Sequence, residues 1–119
     1  MNIMVVDDNQ TMRKEIRLIV LEEVQDVETV FEYENGAEAV EGYEKHLPDW
    51  VLMDIAMPGM NGITASAKIL QRHPEAKIMI VTQYNDPEYR DAARTIGVHA
   101  YVLKDRLMDI PCILKSLLQ

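Results

Sequence analysis

Short apolar runs alternate with helical stripes five times along this chain, and no other feature restricts the fold as much. The first run is Ile3, Met4, Val5 and Val6, uninterrupted as a strand buried on both faces requires. Met12, Ile16, Ile19 and Val20 then recur at i, i+4, i+7 and i+8, one face of a helix that begins at Asn9 or Gln10. Residues 27–33 alternate apolar and polar side chains, as an edge strand with one wet face does. Asn35 and Gly36 break that strand, and Ala37, Val40 and Tyr43 mark a second helix that stops before Leu47 and Pro48. Trp50, Val51, Leu52 and Met53 form the third strand, followed by a loop to Asn61 and Gly62. Ile63, Ala67 and Leu70 give a third helical stripe, closed by Pro74. Residues 77–81 are the fourth strand, ending in Thr82. Asp86 and Pro87 read as N-cap and first helical residue, with Tyr89, Ala92, Ala93 and Ile96 as the buried face and Gly97 as a left-handed cap. Residues 99–103 make a fifth strand, and Ile110, Ile113, Leu114 and Leu117 carry a last helix capped by Asp109.

Strands alternating with helices imply a parallel sheet covered on both faces, with right-handed crossovers. The expected architecture is a flavodoxin-like α/β sandwich, (βα)5, with strand order 2-1-3-4-5. At 119 residues and 48% apolar composition the chain can bury a core of its own and is expected to form one domain over residues 1–119. No apolar run approaches the ~18 residues of a membrane helix, and no basic stretch precedes an apolar one at the start. The single cysteine, Cys112, has no internal disulfide partner, which fits a reducing cytoplasm; it reads as a small buried or half-buried apolar residue. A net charge of −8 argues against direct nucleic-acid contact and is compatible with binding a cation.

Ligands in open parallel sheets bind beyond the strand carboxyl ends, where the strand order reverses. Asp7 and Asp8 follow strand one, Asp54 follows strand three, Thr82 ends strand four and Lys104 follows strand five. Strands one and three are neighbours in the 2-1-3-4-5 order, so Asp7, Asp8 and Asp54 should meet. Three carboxylates together raise one another's pKa values unless a cation intervenes. Mg²⁺ suits hard oxygen donors from few side chains, whereas Zn²⁺ would want a nearby His or Cys. With Lys104 and the Thr82 hydroxyl at hand, a remaining carboxylate oxygen suits a phosphoryl group. Each residue also has a plainer use: Asp in turns and caps, Thr at a strand end, Lys in solvent, and Tyr101 in the core. His46, His73 and His99 are scattered and read as structural or solvated, and the eight Met residues as core filler.

Taken in order, these pieces resemble the receiver domain of two-component response regulators over nearly the whole chain. The resemblance rests on Asp7-Asp8, on Asp54 with Met57-Pro58-Gly59-Met60-Asn61-Gly62 behind it, and on Thr82, Tyr101 and Lys104. The Asn35-Gly36-Ala37-Glu38-Ala39 start of helix two also fits. It implies that Asp54 accepts a phosphoryl group from a sensor histidine kinase. It implies that Asp7, Asp8, Asp54 and the backbone carbonyl of Ala56 hold Mg²⁺, Asp7 through water. Thr82 and Lys104 would bind the phosphoryl oxygens, and Tyr101 would turn inward when Thr82 moves. The surface of helix four, strand five and helix five would then act on an output domain, a downstream protein or a second copy in a homodimer, with transcription as the regulated process. Such a chain is a cytoplasmic phosphoacceptor that assists its own phosphorylation and dephosphorylation, not a conventional enzyme.

Three departures from the family pattern stand out. Asp105 replaces the Pro that often follows the Lys, so a trans peptide is expected there, since a non-proline cis bond costs about 2.5–4 kcal/mol. Lys104-Asp105 resembles the branch of receivers attached to helix-turn-helix DNA-binding domains. Gln83 stands where a small residue is usual and narrows access to Asp54, and Ala56 offers no side chain to an attacking water. Three other readings use the same fold. A flavin-phosphate binder would want a Ser/Thr/Gly-rich loop where Asp7-Asp8-Asn9 stands. An aspartate-dependent phosphatase would want its nucleophile after strand one and a cap over it. A receiver-like docking module that takes no phosphate differs from the leading reading only in chemistry.

Overall fold

The computed structural model describes residues 1–116. Five parallel strands lie in the order β2-β1-β3-β4-β5: β1 (Asn2–Val6), β2 (Thr29–Tyr33), β3 (Trp50–Met53), β4 (Ile78–Thr82) and β5 (Ala100–Leu103). Between and after them run α1 (Gln10–Glu23), α2 (Gly36–His46), α3 (Gly62–Arg72), α4 (Pro87–Ile96) and α5 (Asp109–Ser116). The three central strands are apolar because both their faces are covered. Ile3, Val5, Leu52, Met79 and Val81 pack with Ile16 and Val20 of α1 and Ile110 and Leu114 of α5. Met4, Val6, Val51, Met53, Ile78 and Ile80 point the other way, against α2, α3 and α4. The fold is the expected flavodoxin-like (βα)5 sandwich.

Side-chain oxygens cap three helices: Asn9, Asn35 and Asn61 accept from the N–H groups of Met12, Glu38 and Thr64. Gly97 ends α4 at φ 96°, the left-handed conformation that glycine adopts without strain. Asp86 behaves differently from the expected cap. Its side chain makes no cap bond, and its backbone carbonyl accepts from Tyr89 and Arg90 instead. Asp109 is the first residue of α5 rather than its cap, and its carboxylate takes the Arg106 Nε at 2.9 Å. A short 3-10 turn, Lys104–Arg106, precedes α5. Among the described residues every peptide bond is trans. Leu117, expected in the last helix, lies outside the described residues.

Three buried faces differ from the sequence pattern. In α3, Gly62, Ala65, Ser66 and Ile69 face the sheet, while Ile63, Ala67 and Leu70 flank them half-buried. In α2, Gly36, Ala39, Gly42 and Tyr43 are buried and Ala37 is exposed. Small residues bring these helices close to the sheet, a choice that a search for large apolar side chains misses. In α4 only Ala93 is buried; Tyr89 is exposed and Ala92 and Ile96 are half-buried. Cys112 is exposed on α5 rather than packed.

Gly62 shows how tightly the loop after β3 is drawn. A Cβ there would lie 1.8 Å from the Asp54 carbonyl oxygen, backbone that cannot yield without moving the loop. Gly62→Ala should therefore destabilise the protein by about 3 kcal/mol, the upper range for overpacking. Urea unfolding of the two proteins checks this, and equal midpoints would show that the loop relaxes freely.

Candidate functional site

The carboxyl ends of β1, β3 and β5 converge, and each brings one charged side chain inward. Asp7 is 1% exposed and Asp54 is 4% exposed, so neither carboxylate is solvated in the ordinary way. Asp54 is fixed from both sides of its α-carbon: its N–H donates to the Val6 carbonyl at 2.9 Å, and its Oδ1 accepts from the Ile55 N–H at 2.8 Å. Asp7 donates its N–H to the Tyr33 carbonyl at 3.1 Å, and its Oδ1 accepts from the Asn9 N–H at 2.9 Å. Lys104 reaches between them, with Nζ 2.8 Å from Asp7 Oδ2 and 3.1 Å from Asp54 Oδ2.

Asp8 is exposed and completes the group. One carboxylate oxygen from each of Asp7, Asp8 and Asp54 lies within 4.8 Å of the others. This spacing and donor type fit a hard divalent cation such as Mg²⁺. Asp7 Oδ2 is buried and is faced by the Lys104 ammonium at 2.8 Å, so one positive charge already stands against the buried carboxylates. Ala56 is exposed in the loop two residues beyond Asp54. Beside Asp8, a cleft of about 430 Å³ is bordered by Glu34, Asn35 and Pro58.

Burial and the neighbouring Asp7 charge push the Asp54 pKa above the ordinary carboxylate range; Lys104 and the Ile55 N–H offset this only in part. Burial alone would lower the Lys104 pKa, but the two carboxylates outweigh it and hold the ammonium above its usual value.

Thr82 and Tyr101 lie next to this cluster without touching Asp54. The fully buried Thr82 accepts the Tyr84 N–H on Oγ1 at 3.3 Å. The Tyr101 hydroxyl donates to the Tyr84 carbonyl at 2.7 Å, and the Arg90 guanidinium stands 4.5 Å from the centre of its ring. Arg90 Nε also donates to Asn85 Oδ1 at 2.7 Å. The sequence pattern placed Asp7, Asp8, Asp54 and Lys104 together, as found. It missed Arg13, whose guanidinium donates to the Asp7 carbonyl at 2.6 Å, and Tyr84, whose backbone joins Thr82 to Tyr101. Backbone acceptors leave no mark in the side-chain pattern. The histidines are structural: His46 stacks on Phe31 and pairs with the Tyr33 hydroxyl, His73 contacts Glu44, and His99 meets the edge of Trp50.

The raised Asp54 pKa has a consequence for stability. The folded state holds the Asp54 proton more tightly than the unfolded chain does. Above both pKa values the ionised carboxylate therefore subtracts stability, and that cost is relieved as pH falls through the folded value toward the unfolded one. In metal-free buffer at pH 7, Asp54→Asn should raise stability by on the order of 1 kcal/mol. The gain should shrink as pH falls through the folded Asp54 pKa. Chemical denaturation at several pH values measures it, and a destabilised Asn variant at pH 7 would contradict the charge balance described here.

The sequence profile of the response regulator receiver domain matches residues 3–111. The chain is 40% identical over 105 residues to the transcriptional regulatory protein YhcZ of Bacillus subtilis, a match covering 88% of this chain and 49% of that protein. It is 38% identical over 111 residues to the chemotaxis protein CheY of Bacillus subtilis, covering 90% of this chain and 91% of that protein. A DNA-binding response regulator of the LuxR family from Staphylococcus aureus has the same fold, with a TM-score of 0.87 at 32% identity over 97% of this chain and 96% of that one. The chain thus spans about half the length of the transcriptional regulators it matches and most of the chemotaxis protein. With its fold, its acidic cluster and these matches, the chain belongs to the receiver-domain family of two-component response regulators.

Proposed function

We propose that residues 1–119 act as one receiver domain in which Asp54 accepts a phosphoryl group from a sensor histidine kinase, with Mg²⁺ held by Asp7, Asp8, Asp54 and the Ala56 carbonyl. The observation that carries this reading is the group of three carboxylates with the Lys104 ammonium reaching both Asp7 and Asp54. When bound, Mg²⁺ supplies positive charge that relieves the carboxylates and draws off charge developing on the phosphoryl oxygens.

The protein's own groups divide the remaining work. An ionised Asp54 oxygen forms a bond to phosphorus as the donor's nitrogen–phosphorus bond breaks. The bonding pair stays on the imidazole, which then takes up a proton, and Asp54 becomes a mixed anhydride. The N–H of Ile55 holds the Asp54 carboxylate in a fixed plane, so attack does not wait on rotation. Lys104 exchanges its contact with Asp54 Oδ2 for the incoming phosphoryl oxygens, and its raised pKa keeps it charged throughout the physiological range. Thr82 accepts the Tyr84 N–H on Oγ1 and keeps its own O–H proton to donate to a phosphoryl oxygen. Three carboxylates at this edge disfavour a bound flavin phosphate.

The output follows from the weak packing of α4. A helix with one buried residue shifts at little cost. The surface around Arg90, Arg94, Tyr101 and Lys104 includes a cleft of about 220 Å³ formed by Arg90, Ala93, Arg94, Val98, His99, Ala100 and Tyr101. We assign it as the face that contacts an output domain, a downstream protein or a second copy. Relatives named as transcriptional and DNA-binding regulators support control of transcription as the output. No helix among the described residues is long and apolar enough to cross a membrane. A differential of about 1–3 kcal/mol between the two states suffices for a useful response.

Acetyl phosphate with Mg²⁺ should add one phosphoryl mass to the intact protein, and Asp54→Asn should abolish the addition. Equal labelling of the Asn variant would move the acceptor elsewhere. Beryllofluoride, a mimic of the phosphoryl group, should shift the amide signals of Tyr84, Asn85, Arg90 and Tyr101 as well as those beside Asp54. Shifts restricted to residues 54–62 would exclude α4 and β5 from the response.

A further inference from the structure

Arg13 sits in the first turns of α1, where a positive charge opposes the helix dipole, so helix formation does not account for it. Its side chain is only 13% exposed, so it is not a solvated surface arginine either. The guanidinium instead donates from NH1 to the backbone carbonyl of Asp7 at 2.6 Å and from Nε to Glu32 Oε1 at 3.2 Å. The Asp7 N–H is already committed to the Tyr33 carbonyl and its Oδ1 to the Asn9 N–H. The carbonyl belongs to the peptide unit that joins Asp7 to Asp8. Arg13 therefore clamps the one peptide that carries both carboxylates at the end of β1, and Glu32, on the edge strand, holds the clamp in turn. Arg17 supports Glu32 from the next helical turn, with NH1 3.5 Å from Glu32 Oε2.

We propose that Arg13 is a positioning residue for the cation site: it fixes the Asp7–Asp8 peptide so that both carboxylates face Asp54, and Glu32 orients it. This rests on the Mg²⁺ site proposed above. Two roles for Arg13 predict opposite signs. A guanidinium acting only as a nearby positive charge repels a divalent cation, so its loss would tighten binding. A guanidinium that holds the ligands in place makes binding tighter, so its loss would weaken it.

Mg²⁺ titration of the whole chain, followed by calorimetry and by the amide signals of Asp8 and Ile55, separates these. Arg13→Ala should weaken Mg²⁺ binding about 10-fold or more, the usual effect of removing a residue that orients a metal ligand. Arg13→Lys keeps the charge but loses the two-point grip, and should fall between Arg13→Ala and the parent. Glu32→Gln should give a smaller loss in the same direction, and it decides the matter if Arg13→Ala does not fold. Lys14→Ala removes the same charge from an exposed neighbour and should leave affinity unchanged or slightly higher. Unchanged or tighter binding in folded Arg13→Ala, or in Glu32→Gln where that variant decides, would overturn the positioning role alone. A parent protein that binds no Mg²⁺ would remove the proposed cation site and this role with it.

Discussion

Everything at the functional edge of this protein depends on one charge balance, two buried carboxylates set against one ammonium. Asp7 and Asp54 are withdrawn from water by the same parallel pairing that makes β1 and β3 neighbours. Burying two anions side by side is costly, and a single lysine just after β5 offsets only part of it. The raised Asp54 pKa reflects that deficit. Stability is given up at this edge for a site that gains when positive charge arrives. The rest of the molecule is built to tolerate it: β1, β3 and β4 are almost wholly buried, and Gly62 lets the loop after β3 close directly on the Asp54 backbone.

The packing is uneven in a way that matches this division. On one face, α1 and α5 share a continuous apolar cluster with Trp50 and Leu52. On the other, α2 and α3 lie close to the sheet through glycine, alanine and serine, while α4 is anchored by Ala93 alone. Polar contacts tie down the N-terminal end of α4: Arg90 to Asn85 and to the Tyr101 ring. A helix held mainly by such contacts can be released by changing one of them, whereas α1 could move only by opening a core.

Much of this was legible in the sequence, for a physical reason. A strand buried on both faces must be apolar, so its end is marked wherever a polar or charged side chain first occurs, and Asp7, Asp54, Thr82 and Lys104 are such marks. Strand order then brought the carboxylates together without further information. The helix faces were read less well. Ala65, Ser66, Gly36 and Gly42 are buried because they are small, and smallness carries weak periodicity next to Ile63, Leu70 or Val40. Asp109 and Asp86 resembled side-chain caps, yet the structure assigns one to an ion pair and uses the backbone of the other. Arg13 and Tyr84 were not legible at all, because each works through a main-chain group that every residue type possesses.

Tyr84 carries the sharpest consequence of that last point. Its N–H is taken by the Thr82 hydroxyl and its carbonyl by the Tyr101 hydroxyl, so one residue's backbone links the candidate phosphoryl-binding group to the aromatic residue on β5. Tyr101 is half-buried, with its hydroxyl bonded to this loop and its ring against the Arg90 guanidinium. A Thr82 side chain that rotated to carry Oγ1 toward Asp54 would draw it away from the Tyr84 N–H, and the loop would keep that bond by moving with it. Because Asn85 and Tyr101 both contact Arg90, such a movement would reach the first turn of α4. A coupling of this kind would need no long chain of packed side chains. It would use two hydrogen bonds to one backbone residue and a helix light enough to follow.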